Sequence, residues 1–230
     1  MSTSIGIQEL NYQAKLLAIG SLALVVTAPC FAQDRNATFA NQYWSAQSAK
    51  DRSDFPRAEK GYLQAVKEAE HFPPSDCRLV RTLEDLAECY ELQGMWQLAE
   101  PVRERIVTIY EKQFGDHYPR VAVAMVKVAL CYRNEGNSVK AEVFYKKALA
   151  SYEGTFGADH VRVAEILGDL GQLYILQGEY DRAEPCYRRA LAICAKTPAD
   201  DKLRLYLSDE LACILEFHGK PAEAKKYLSP

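Results

Sequence analysis

Four histidines (His71, His117, His160 and His218) and six cysteines beyond residue 32 (Cys77, Cys89, Cys131, Cys186, Cys194 and Cys213) are the residues best able to bind metals or act as nucleophiles. No CxxC occurs, and the cysteines do not alternate with histidines at ligand spacing, so neither a zinc site nor thiol–disulfide exchange chemistry is expected. Cys186 and Cys194 lie eight residues apart on one helical stretch. That is about 12 Å of rise, beyond the ~7 Å limit for a disulfide. Cys186 and Cys213 are the only candidate pair, at similar height on adjacent helices. Glu84, Glu88 and Glu91 could supply paired carboxylates for acid–base work, but at helical spacing they read as a solvated acidic stripe. The chain has no phosphate-cradling glycine loop, no nucleophile elbow and no HExxH. The expectation is a noncatalytic protein without cofactor or metal.

Composition narrows the partner. Of 230 residues, 28 are Lys or Arg and 31 are Asp or Glu, a net charge of -3. Without a basic excess there is no electrostatic footprint for a phosphate backbone, and no nucleic-acid partner is expected. Hydrophobic residues make up 48% of the chain, enough for an ordered core.

The elements that hold these residues repeat. Gly94, Gly136, Gly178 and Gly219 fall 42, 42 and 41 residues apart. Ala99, Ala141, Ala183 and Ala224 each follow their glycine by five, and Tyr90, Tyr132 and Tyr174 precede it by four. Leu86-Ala87, Val128-Ala129, Leu170-Gly171 and Leu211-Ala212 keep the same register. A weaker first unit puts Ser53 in the glycine place, with Ala58, Tyr62 and Ala65 at the expected offsets. Within a unit, Met125, Val128, Ala129 and Tyr132 form one apolar helical face, and Gly136 suits the left-handed cap that ends it. A second helix follows, carrying Ala141, Tyr145 and Ala148. Neither helix can bury its face alone, so successive hairpins must stack. Cys89 and Cys131 precede the repeating tyrosine and read as core, as do the tyrosines themselves. His117 and His160 belong to matching connectors, where they cap or brace the turn, while His218 sits beside Gly219 near a helix end. Pro119 suits the first turn of the helix after its connector.

This pattern resembles tetratricopeptide repeats, in the 42-residue variety of kinesin light chains. The signature is carried by Leu170-Gly171, Tyr174, Gly178, Tyr180, Ala183-Glu184 and Ala190-Leu191, and again by Leu86-Ala87, Tyr90, Gly94, Trp96 and Ala99-Glu100. Ile106, Ser138 and Pro221 depart from it. The resemblance implies an all-α, right-handed solenoid of stacked antiparallel helix hairpins, with about five pairs and atypical first and last units. It also places each first helix on an inner wall. The inward-facing candidates are then Arg81, Glu84, Glu88 and Glu91 in the second unit, and Val123, Val126, Leu130, Arg133 and Asn134 in the third. Glu165, Gln172 and Ile175 follow in the fourth, and Tyr206, Asp209, Glu216 and Phe217 in the fifth. Such a wall, acidic at its ends and apolar in its middle, suits a peptide or helix of a protein partner. Only Arg133 and Asn134 come near the Lys, Asn and Arg clamp that some family members close on a terminal carboxylate, so no such clamp is expected.

The two ends carry expectations of their own. Leu16 to Ala28 is an uncharged apolar run about 20 Å long as a helix, short of the ~30 Å hydrocarbon core. A cleaved export signal over residues 1–32, cut after Ala32, fits it better than a permanent span, and leaves a repeat domain over 33–230. An exported, periplasmic or secreted protein is expected; the alternative is a membrane anchor made by the uncleaved segment. The last helix, expected over 221–228, has no capping helix after it, which leaves end-to-end self-association as an alternative to ligand binding.

Overall fold

The repeating glycines are the joints of helical hairpins. A computed structural model, which describes residues 34–116, 118–196 and 201–228, places Gly94, Gly136, Gly178 and Gly219 at φ between 69° and 81°. Each lies between two helices, in the left-handed region that an added Cβ disfavours. Ser53 adopts φ 60° at the equivalent joint of the first unit, so even the degenerate repeat turns its corner by the same geometry. The segment 1–32, its cleavage point and His117 lie outside the described residues.

Among the described residues every regular element is a helix. The chain divides between Pro73 and Pro74 into two compact units. The first holds α1 (34–51) and α2 (Phe55–Ala69). These two backbones approach closely at Gly61, where a Cβ would meet Ala46 Cβ at 2.7 Å. Tyr43 is buried, 5.7 Å from the Phe39 ring, while its neighbour Trp44 is exposed.

The second unit is a right-handed solenoid of four antiparallel pairs. These are α3 (Arg78–Leu92) with α4 (Trp96–Phe114), α5 (Pro119–Asn134) with α6 (Ser138–Phe156), α7 (Val161–Leu176) with α8 (Tyr180–Lys196), and α9 (Asp201–Phe217) with α10 (Pro221–Ala224). Each helix packs on its neighbours in chain order. Ala99, Ala141, Ala183 and Ala224 are fully buried, which brings the helices together, and Leu86, Val128, Leu170 and Leu211 fill the core beside them. Tyr90, Tyr132, Tyr174, Tyr145 and Tyr187 are all buried, as their register requires. So are Cys89 and Cys131.

Connectors repeat as faithfully as the helices. Phe114 stacks on Tyr118 with ring centroids 4.4 Å apart, and Phe156 stacks on His160 at 4.7 Å. His160 also caps α7 by accepting the Arg162 N–H at 3.2 Å, and Pro119 opens α5. At the far end the structure departs from expectation: α10 closes at Ala224 and the chain continues through a turn instead of a second helical turn. Arg188 of α8 holds this segment, 2.8 Å from Glu223 and 3.4 Å from Tyr227 Oη. Backbone bonds continue past the helix in a tighter turn, from Lys226 N–H to Glu223 O at 3.0 Å and from Tyr227 N–H to Ala224 O at 2.9 Å.

Candidate functional site: a groove between the first helices

Four of the sequence-predicted residues meet in one cavity of about 650 Å³ in the second unit. Glu84, Glu88 and Glu91 come from α3, and Val123 from α5. Four and three residues separate the glutamates, so all three share a face of α3. An adjoining notch of about 300 Å³ contains Arg81 and shares Glu84, Tyr110 and Arg120 with the larger cavity. Tyr110 Oη donates to Glu84 Oε1 at 3.3 Å and so fixes that carboxylate at the junction.

The floor was not legible from the acidic stripe. Arg103 of α4, only 8% exposed, donates from Nε and Nη2 to both oxygens of Glu91 at 2.7 and 2.9 Å. This bidentate pair consumes the Glu91 charge. The Cys131 thiol lies 3.6 Å from Glu91 Oε1, and burial, reinforced by that carboxylate, pushes it up to about 12. Cys131 is therefore a core thiol, not a nucleophile. Arg103 stands nine residues after Gly94, where Tyr145 and Tyr187 follow Gly136 and Gly178. That break of register was the available signal.

The opposite wall also differs from the expected apolar middle. Arg120 and Lys127 of α5 line the cavity and flank Val123, so the carboxylates of α3 (Glu84, Asp85 and Glu88) look across at two exposed cations. The groove carries one sign on each side.

The remaining predicted residues lie farther along the first helices and do not line this cavity. Val126 and Leu130 are half-buried. Arg133 donates to Gln172 Oε1 at 3.0 Å and lies 3.9 Å from Asp169, so it braces α5 against α7. Burial raises the Asp169 carboxyl, partly offset by Arg133. Asn134 is exposed, Ile175 is half-buried, and Glu165 pairs with Arg162 at 2.7 Å. Tyr206 packs edge-on to Tyr187 at 6.4 Å, while Asp209 and Glu216 are exposed. Phe217 is exposed yet packs at a tilt on Tyr180, ring centroids 4.3 Å apart, at the hairpin tip.

All six described cysteines are free thiols, and the candidate pair Cys186–Cys213 is not bonded. Among the described residues no group of three or more His, Cys, Asp or Glu is arranged to hold a metal ion. Nor is any described helix long and apolar enough to cross a membrane. His218 is 3.0 Å from Glu184 and 3.5 Å from Asp181, so it ties α9 to α8.

The Tetratricopeptide repeat family matches residues 78–154, 120–196 and 162–229. The chain belongs to the tetratricopeptide repeat family. Solved structures similar to it include BtubC (BKLC) from P. vanneervenii, 24% identical, with a TM-score of 0.67 over 80% of this chain and 74% of that one. A Podosopora anserina protein described as a kinesin light chain with nearly identical TPR-like repeats is 21% identical, with a TM-score of 0.65 over 82% and 90%. The Rap conjugation gene regulator of plasmid pLS20, solved with the Phr* peptide, is 14% identical, with a TM-score of 0.56 over 85% of this chain and 53% of that one. At these identities the likeness is one of fold. No curated protein matches the sequence. As a tetratricopeptide repeat solenoid, the chain has the fold and family of a protein–protein interaction scaffold.

Proposed function

We propose that the chain is an exported adaptor that holds a segment of a partner protein in the groove between α3 and α5, at the cell envelope. The observation that carries this reading is the convergence of Glu84, Glu88, Val123, Arg120 and Lys127 on one open cavity floored by a closed ion pair. Exposed charges on a rigid frame steer and orient a partner without having to order themselves first. The peptide held by the Rap regulator, a solenoid of similar fold, supports a peptide-binding role. The matched segments begin at residues 78, 120 and 162, a stride that supports the 42-residue, kinesin-light-chain-like variety. Export rests on the apolar run Leu16 to Ala28 and on the small residues before Gln33. Two measurements test the proposal. Affinity capture from an envelope extract with the native chain and with Glu88→Lys should give different bound proteins; identical sets would remove the groove from the function. Amino-terminal sequencing of the chain from its own cell should begin at Gln33; a start at Met1 would remove the cleaved signal.

A second reading, a structural subunit that assembles through its ends, is favoured by one feature. Leu205, Phe217 and Leu228 of the last pair are exposed large apolar side chains. Light scattering over a concentration series distinguishes the two, because a constant monomer mass excludes self-assembly.

A further inference from the structure

Wall chemistry makes the partner more specific than a basic or an acidic peptide. Glu84 and Glu88 are separated by four residues of helix, about 6 Å of rise. In an extended chain, side chains two residues apart point the same way about 6.7 Å apart. Two cations at i and i+2 of an extended segment lying along α3 therefore meet both carboxylates. The intervening side chains of that segment point the opposite way, toward α5. There they meet Arg120 and Lys127, seven residues or about 10 Å apart on one face, with Val123 between them. A uniformly basic segment would set its outer side chains against these cations, and a uniformly acidic one would set them against Glu84, Asp85 and Glu88. The floor adds no net sign, because Glu91 and Arg103 neutralise each other at 2.7 Å.

We propose that the α3–α5 groove takes an extended zwitterionic segment of a partner protein, with cationic residues facing α3 alternating with acidic residues facing α5. This rests on the groove being the partner surface, and it specifies what that surface selects. Alternation gives selectivity that net charge cannot, since each mispaired residue places like charges together.

The test uses fluorescein-labelled octapeptides titrated by anisotropy against the full chain. One peptide alternates Lys and Glu, one is its block isomer of four Lys then four Glu, and two are octalysine and octaglutamate. The alternating peptide should bind at least about fivefold more tightly than the block isomer of equal composition. Glu88→Gln and Lys127→Gln should each weaken it about two- to fivefold, the range of an exposed ion pair, and salt should erase the difference. Both substitutions are at exposed positions, and circular dichroism checks that each variant is folded. Equal binding of the alternating and block peptides overturns the alternation. Tighter binding of octalysine, lost in Glu88→Gln and improved in Lys127→Gln, overturns the zwitterionic partner but keeps the groove as a binding surface. The mirror result with octaglutamate does the same. If no peptide responds to either substitution, both this inference and the groove reading fall.

Discussion

Nine residues after the turn glycine, α4 carries Arg103 where α6 and α8 carry Tyr145 and Tyr187. All three side chains are buried, but they solve burial differently. Arg103 pairs with Glu91, three residues before Gly94; that place holds Arg133 in the pair that carries Tyr145 and Ile175 in the pair that carries Tyr187. Tyr187 lies over Gly171, where an added Cβ would sit 2.7 Å from its ring, and Tyr145 Oη is buried without a hydrogen-bond partner among the described residues. One repeat thus buries a closed ion pair at this place, and the two that follow bury tyrosine rings. The same scaffold position holds either. The open charged cavity lies at the repeat with the ion pair, while farther along Arg133, Gln172 and Asp169 brace the first helices against one another.

The largest expected effect comes from breaking that match. Glu91→Ile leaves Arg103 buried and unpaired and should cost about 3–5 kcal/mol. Adding Arg103→Tyr transplants the later solution; the double variant should return to within about 1.5 kcal/mol of the native chain in urea unfolding. A double variant no more stable than Glu91→Ile would show that the two repeats are not interchangeable. On the aromatic side, Leu170→Ala should cost about 2–5 kcal/mol through a cavity in a repeated core position. Gly171→Ala should cost about 1–3 kcal/mol, because the Tyr187 ring has no room to retreat.

A pH-dependent difference separates the hairpin joints as well. Glu135, just before Gly136, is raised by burial and then by the Glu100 charge, whereas His218 holds the same place before Gly219 and meets Glu184. Glu100 is already engaged by Tyr132 Oη at 2.5 Å. A carboxyl raised on folding contributes stability below its unfolded value, near 4.3, and loses it as pH climbs through the folded one. Glu135→Gln should therefore be more stable than the native chain at pH 7 and no different at pH 4, read as Tm against pH. The smallest effect belongs to the first unit. Ser53→Gly relieves a left-handed residue that carries a Cβ and should raise stability by about 0.5–1 kcal/mol.

Much of the fold was legible because its instructions are local. A glycine that must turn left, an alanine five residues on and a tyrosine four before it lie within one hairpin, and each is required by backbone geometry or by close helix approach. Ser53 shows how far this reaches, since it adopts the glycine geometry without being glycine. The groove was legible only in part. Glu84, Glu88, Glu91 and Val123 line one cavity, but Arg103 reaches Glu91 from the second helix of the pair, and Arg120 and Lys127 line the cavity from the next repeat. Helical periodicity says which residues share a face; it does not say which face lies opposite. The end of α10 was not legible either: past Ala224 the backbone bonds tighten to three-residue spacing at Lys226 and Tyr227, and Arg188, thirty-five residues away in sequence, holds Glu223.

From its residue order alone this protein was committed to stacked helix pairs, because short-range spacing of small, apolar and left-handed residues admits few other structures. Which charges cancel and which remain to meet a partner was decided only by packing, because electrostatic pairing depends on distances between helices that are far apart along the chain.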